Sequence, residues 1–135
     1  MSFKFNPLSG EFDFFEAAGV PRLTDKRICG ETISALKLIT AQDNTNVLLS
    51  DNDLYVNAKV LGISLTAGNI GDEIDVLLFG KHEDAAFNFT LNEPLFLSAN
   101  GVITETPPST NFSTTIGHSL GAGAIFINIK EPIQL

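Results

Sequence analysis

Pro94-Leu95-Phe96-Leu97-Ser98-Ala99-Asn100-Gly101-Val102-Ile103-Thr104-Glu105 is the stretch whose reading decides the fold. Two apolar runs flank Asn100-Gly101, a dipeptide that tolerates the positive φ needed to turn a chain back between paired strands. The expectation is a hairpin with strands at 94–98 and 102–105. Downstream, Ile125, Ile127 and Ile129 alternate with Phe126, Asn128 and Lys130. That two-residue period marks a strand with one face in a core.

The same pattern runs back to Ile33. Short runs of β-branched, aromatic and leucine residues predict strands at 34–41, 46–50, 54–58, 60–65, 73–79, 86–91, 94–98, 102–105, 113–120 and 124–130. Turn residues separate them: Gln42-Asp43-Asn44, Asp51-Asn52-Asp53, Ala67-Gly68-Asn69, Asn92-Glu93-Pro94, Pro107-Pro108 and Gly121-Ala122-Gly123. Helical periodicity is scarce, with one candidate turn at 14–18 that Gly19 and Pro21 would end. The fold class is therefore all-β, a compact barrel or sandwich of short antiparallel strands.

An internal echo is present. Leu48-Leu49-Ser50-Asp51-Asn52-Asp53 resembles Phe96-Leu97-Ser98-Ala99-Asn100-Gly101, and Val60-Leu61-Gly62-Ile63-Ser64-Leu65 resembles Thr115-Ile116-Gly117-His118-Ser119-Leu120. Two pseudo-repeated β-units would produce this, as would the reuse of short hydrophobic words. Under either reading Gly62 and Gly117 mark bulges or close backbone approaches.

At the N-terminus, five of the eleven phenylalanines fall within fifteen residues. Phe3 and Phe5, then Phe12 and Phe14, alternate with polar residues, and Pro7-Leu8-Ser9-Gly10 reads as a turn between two extended pieces. The division expected is an extended arm over 1–16 and a single β-domain over 17–135. So much aromatic surface requires a partner, either the chain's own barrel or another subunit. Phe3, Phe5, Asn6, Pro7, Leu8, Phe12, Phe14 and Phe15 are the candidate assembly residues.

Composition narrows the partners. A 135-residue chain buries roughly two-thirds of its unfolded surface and needs no staples. Eight basic against sixteen acidic residues give a formal net charge of −8. The basic residues are scattered, so neither nucleic acid nor an anionic membrane surface is an expected partner. No apolar run reaches the roughly 18 residues of a membrane span. Lys4 is followed by no continuous apolar stretch and no small-residue cleavage site, so no secretory signal is expected. Cys29, the single cysteine, is read as a small buried apolar side chain.

No set of residues converges on chemistry. Lys81-His82-Glu83-Asp84 is read as a solvated hairpin tip, and on a strand its side chains would diverge. His118 is expected to be a hydrogen-bonded structural histidine, and Ser119 beside it faces the other way. Gly117-x-x-x-Gly121-x-Gly123 lacks the Lys-Ser/Thr of a phosphate loop. Asp43, Asp51 and Asp53 fit no calcium-loop spacing. Asn88-Phe89-Thr90 and Asn111-Phe112-Ser113 match the glycosylation triplet without a secretory context. No catalytic residue, metal or cofactor is expected, and the chain is not read as an enzyme.

Val60-Leu61-Gly62-Ile63-Ser64-Leu65-Thr66-Ala67-Gly68, continuing through Asp75-Val76-Leu77-Leu78-Phe79-Gly80, resembles the middle of a β-domain in virion proteins of tailed bacteriophages. Pro94 to Pro108 is similar to that domain's P-L-Y-L-S-x-x-G-x-I-T stretch. Ile116-Gly117-His118-Ser119-Leu120 with Ile125-Phe126-Ile127-Asn128 is similar to its closing strand pair, with His118 in the place of an aromatic. Phe5-Asn6-Pro7-Leu8-Ser9-Gly10 resembles the F-N-P-x-[ST]-G leader of phage fibre and head-decoration proteins. The pattern differs after Ile133-Gln134-Leu135, where no fibre shaft or receptor-binding tip is expected.

The resemblance implies a bacteriophage virion structural protein made in the host cytoplasm and located on the phage particle. The same β-domain is carried by capsid-attached and tail-attached proteins alike, and a capsid decoration or head-fibre role is the expectation. The partners implied are the major capsid protein or other virion proteins, and the chain itself as a homotrimer. A tail-associated adaptor or host-receptor-binding module is the alternative, for which Tyr55 and Phe112 are the available exposed aromatics.

Overall fold

Consecutive buried residues on one strand mean that both of its faces are covered. Leu38-Ile39 and Val76-Leu77 are all fully buried. Leu38 and Leu77 belong to one hydrophobic core, Ile39 and Val76 to another. Side chains alternate along a strand, so each pair serves two layers at once.

The computed structural model describes residues 22–135. The strands are β1 (Leu23–Cys29), β2 (Leu38–Ala41), β3 (Asn46–Leu49), β4 (Gly62–Ser64), β5 (Glu73–Asn88), β6 (Pro94–Leu97), β7 (Ile103–Thr104), β8 (Phe112–Ser113), β9 (Thr115–Ser119), β10 (Ala122–Ile127) and β11 (Ile133–Gln134). One helical turn, α1 (Tyr55–Ala58), interrupts them. Nine strands form a sheet in the order β1-β3-β2-β4-β5-β10-β9-β6-β7, and β8 pairs with β11 separately.

The first five strands close on themselves. β1 pairs in parallel with β3 and antiparallel with β5, which joins the ends of the series β3-β2-β4-β5. Cys29, Ile39, Val47, Ile74 and Val76 fill this barrel. β5 then runs on beyond the barrel, and its second half pairs with β10. Phe87, Leu95, Leu97, Ile116, Ile125 and Ile127 pack there against the outward face of the barrel, where Leu38, Ile63 and Leu77 lie. The all-β expectation holds: a barrel and a sheet share one long strand.

The 94–105 hairpin forms as read, with Phe96 opposite Thr104 and Leu97 opposite Ile103. Its reversal is wider than two residues: Ala99–Gly101 is a 3-10 turn with Asn100 at φ 56°. Gly101 also has positive φ (73°), and a Cβ there would collide with the carbonyl oxygen of Leu38.

Four expectations are corrected. The 34–41 strand begins at Leu38, because Leu36 takes φ 64°. Buried Ser64 holds that turn: its Oγ donates to Ser34 O (2.7 Å) and accepts from Lys37 N (3.0 Å). The 54–58 strand is α1 instead. Asp53 accepts from Leu54 N and Asn57 Nδ2, and two hydroxyls take up carbonyls at the helix end, Thr40 reaching Lys59 O and Thr114 reaching Ala58 O. The run 113–120 is divided into β8 and β9.

The fourth correction concerns Lys81-His82-Glu83-Asp84, which is no hairpin tip. It lies inside β5, paired residue for residue with Ile127, Phe126, Ile125 and Ala124 from Gly80 to Glu83. The bulge comes later, at 84–87, where Asp84 Oδ1 accepts from Ala86 N.

β1 is an addition to the expected strands, and the expected turn at 14–18 lies outside the described residues. The echo has one shared feature in three dimensions. A Cβ on Gly62 of β4 would strike the carbonyl oxygen of Leu77 on β5, and one on Gly117 of β9 would strike that of Phe126 on β10. The topology otherwise differs, since β6 pairs directly with β9 whereas β2 stands between β3 and β4.

Candidate functional site

The candidate assembly residues Phe3, Phe5, Asn6, Pro7, Leu8, Phe12, Phe14 and Phe15 lie outside the described residues, as does the boundary at residue 16. The candidate residues from Cys29 onward all lie within the described part of the chain.

Cys29 is buried in the barrel, and burial, with the Asp72 charge adding to it, raises its thiol pKa. A thiol held protonated is a poor nucleophile. Ser119 is buried and accepts from Gly121 N through Oγ (3.0 Å), bracing the β9–β10 turn. His118 points to the opposite face of β9 and lies against Phe126, with ring centroids 5.5 Å apart. Lys81 and Glu83 share one face of β5 and form an ion pair at 2.9 Å. His82 points the other way, edge-on to Phe87. Arg22 Nη2 reaches His82 Nδ1 (3.3 Å), and Arg22 Nε donates to Lys81 O. A guanidinium only donates, so His82 Nδ1 is the acceptor and the ring is neutral with its proton on Nε2. Burial, then the Arg22 charge, lower the His82 pKa.

Asp43 sits in the β2–β3 turn, where its carboxylate accepts from Thr45 N, Asn46 N and Asn46 Nδ2. These bonds hold its pKa at about 2. Asp51 Oδ2 accepts from Asn100 N, tying two turns together. Among the described residues, no group of three or more His, Cys, Asp or Glu side chains is placed to hold a metal ion.

Two surface features remain. One gathers the two aromatics named for a binding role: Tyr55 and Phe112 meet edge-to-face at 5.9 Å. Tyr55 Oη donates to Glu131 Oε1 (3.0 Å), and Lys59 Nζ lies 5.6 Å from the Tyr55 ring centroid.

The other crosses the sheet. Leu23 is paired with Phe79. Phe79 meets Phe126 edge-to-face at 5.3 Å, Phe126 is paired with His118, and His118 with Pro94. Directly paired residues share a face, and Lys81 is the direct partner of Phe126, so this is a mixed stripe of aromatic, apolar and charged side chains over β1, β5, β10, β9 and β6. Leu23 is 57% exposed and Phe79 37%. No periodicity points to this stripe, because its members come one or two from each strand.

With this geometry in view, the chain resembles a solved structure, described as the head fiber gp8.5 N base in bacteriophage phi29. The TM-score is 0.50 at 11% sequence identity, over 82% of this chain and 96% of that one. The likeness is one of fold. No family model and no curated protein sequence matches.

Proposed function

We propose that this protein is a non-enzymatic structural component of a tailed-bacteriophage particle, of the capsid decoration or head-fibre kind. One observation supports the reading: the fold is similar to that of a head fibre N base, over 82% of this chain and 96% of that one at a TM-score of 0.50. The motif order in the sequence supports it independently, since it points to the same class of virion proteins. Well-packed cores and a net charge of −8 suit a stable, self-repelling outer domain.

In this reading residues 2–15 dock the protein on the particle, on the major capsid protein or another virion protein, and the copies assemble as a homotrimer. Burying one phenylalanine contributes on the order of 2 kcal/mol, so a few suffice to hold a domain in place. Several anchored copies acting together would make release slow. Co-sedimentation with purified particles tests the anchor: full-length protein should travel with them, and a folded chain lacking residues 2–15 should not. Equal incorporation of the two would remove the arm from the mechanism.

The Tyr55–Phe112 pair favours a second reading, a host-surface binding module, because it puts an exposed aromatic beside Lys59 and Glu131. Glycan-array binding that Tyr55→Ala abolishes would support that role.

A further inference from the structure

We propose that the open edge of β7 seats the strand β11 of a second copy, with Ile133 of that copy lodged in the groove beside the edge. This rests on the homotrimer proposed for the particle and names the two surfaces that join its subunits.

β1 closes the first five strands into a barrel, but the series β5-β10-β9-β6-β7 is left open among the described residues. One side chain spans the seam, where Glu105 Oε1 accepts from Thr90 N (3.2 Å). A groove of about 190 Å³ lies there, with Leu36, Lys37, Phe87, Phe89, Val102 and Ile103 among its walls. Ser98 N donates to Val102 O, and Leu97 N turns away from β7 to Thr114 O. The backbone N–H and C=O of Ile103, opposite Leu97, therefore point outward from β6. No backbone partner meets them among the described residues. An open edge of this kind accepts an added strand, and the groove beside it accepts a side chain.

β11 carries the matching edge. Leu135 N donates to Asn111 O, so Ile133 and Leu135 spend their backbone groups on β8. The Gln134 N–H and the Pro132 C=O point the other way. Laid parallel to β7, as β1 lies on β3, Pro132 O accepts from Ile103 N and Gln134 N donates to Ile103 O. The N–H that Pro132 lacks is not needed in this register. Ile133 then sits beside Ile103, whose side chain packs on the core. In its own chain Ile133 is 65% exposed, and the groove gives it cover. Glu131 comes beside Val102 and Lys37, a half-buried lysine with no carboxylate within 4 Å among the described residues. The chain's own β11 is held on β8, so the contact runs from one copy to the next. Head-to-tail contacts of this kind close into a ring.

Sedimentation velocity on the full-length protein reads the assembly, and methyl Overhauser spectroscopy on mixed labelled and unlabelled chains reads the contact. A trimer is expected, with Ile133 methyls touching the Phe87 or Phe89 ring of the neighbouring copy. Gln134→Pro and Ile133→Asp should each weaken assembly by about tenfold or more. Neither removes a bond of the β8–β11 pair, so the Ile39 and Leu97 methyl signals should stay in place. A trimer that forms equally well in both folded variants, or that shows no Ile133 contact between chains, would overturn the proposal and leave self-assembly standing. A wild type that stays monomeric at millimolar concentration would overturn both.

Discussion

Val76 and Leu77 are neighbours on β5 and are buried in different cores, Val76 inside the barrel and Leu77 between barrel and sheet. The long strand is thus the common wall of the two layers. Damage on either side of it should be felt by the whole domain.

Leu77→Ala is expected to destabilise the fold by about 2–5 kcal/mol, through lost transfer energy and the cavity left behind. Val76→Ala should cost less. Because one strand serves both cores, each variant should still unfold in a single transition. Chemical denaturation checks this, and two separated transitions would show that barrel and sheet are independent.

Gly117 should tolerate no side chain. It has φ 147°, and a Cβ would run into the carbonyl of Phe126 on the paired strand. Gly117→Ala is expected to cost more than about 3 kcal/mol or to prevent folding. Gly71→Ala provides the control: its φ is 89° but nothing lies within 4 Å, so strain of roughly 1 kcal/mol is all it should cost. Similar losses at the two positions would contradict the close-approach account.

The pH response has two parts. His82 is held neutral, with its pKa below the ordinary value of 6.5. In the unfolded chain it takes up a proton first, so this contribution is present above pH 6.5 and is lost as pH falls through that value toward the folded pKa. His82→Gln should flatten the stability profile in that window. An unchanged profile would mean that the Arg22 contact and burial do not govern the ring.

Asp43 acts lower on the scale. Its pKa is about 2 against 3.8 for a free side chain, so its turn is favoured above pH 3.8 and loosens as pH falls toward 2. A carboxyl-carbon NMR titration should place its midpoint near 2. A midpoint near 4 would mean the turn bonds to Thr45 and Asn46 are not kept in solution.

Much of this fold could be read from residue order, and the exceptions have physical causes. The 94–105 hairpin and the Ile125–Ile127 alternation were legible because burial on one face leaves a two-residue period. β1 was not: Asp25 and Lys26 are exposed, Arg27 is half-buried, and ion pairs hold them, Lys26 to Asp75 at 2.6 Å and Arg27 to Asp25 at 3.0 Å. Of its residues only Cys29 is fully buried, so no hydrophobic pattern marks a strand that closes the barrel. α1 looked like a strand because Leu54, Val56 and Ala58 alternate with polar residues, yet the Asp53 side chain and two threonine hydroxyls satisfy a helical turn there. β5 looked like two strands because the charged run at 81–84 lies where it leaves the barrel. The mixed stripe could not be read at all, since only strand order brings Leu23, Phe79, Phe126 and His118 together.

Quantitative mass spectrometry of gradient-purified particles, normalised to the major capsid protein, tests the virion assignment most directly. The account predicts that this chain is present in the particle at a fixed stoichiometry, following the capsid protein if it decorates the shell. Its absence from purified particles, with the protein abundant in the infected cell, would contradict the assignment.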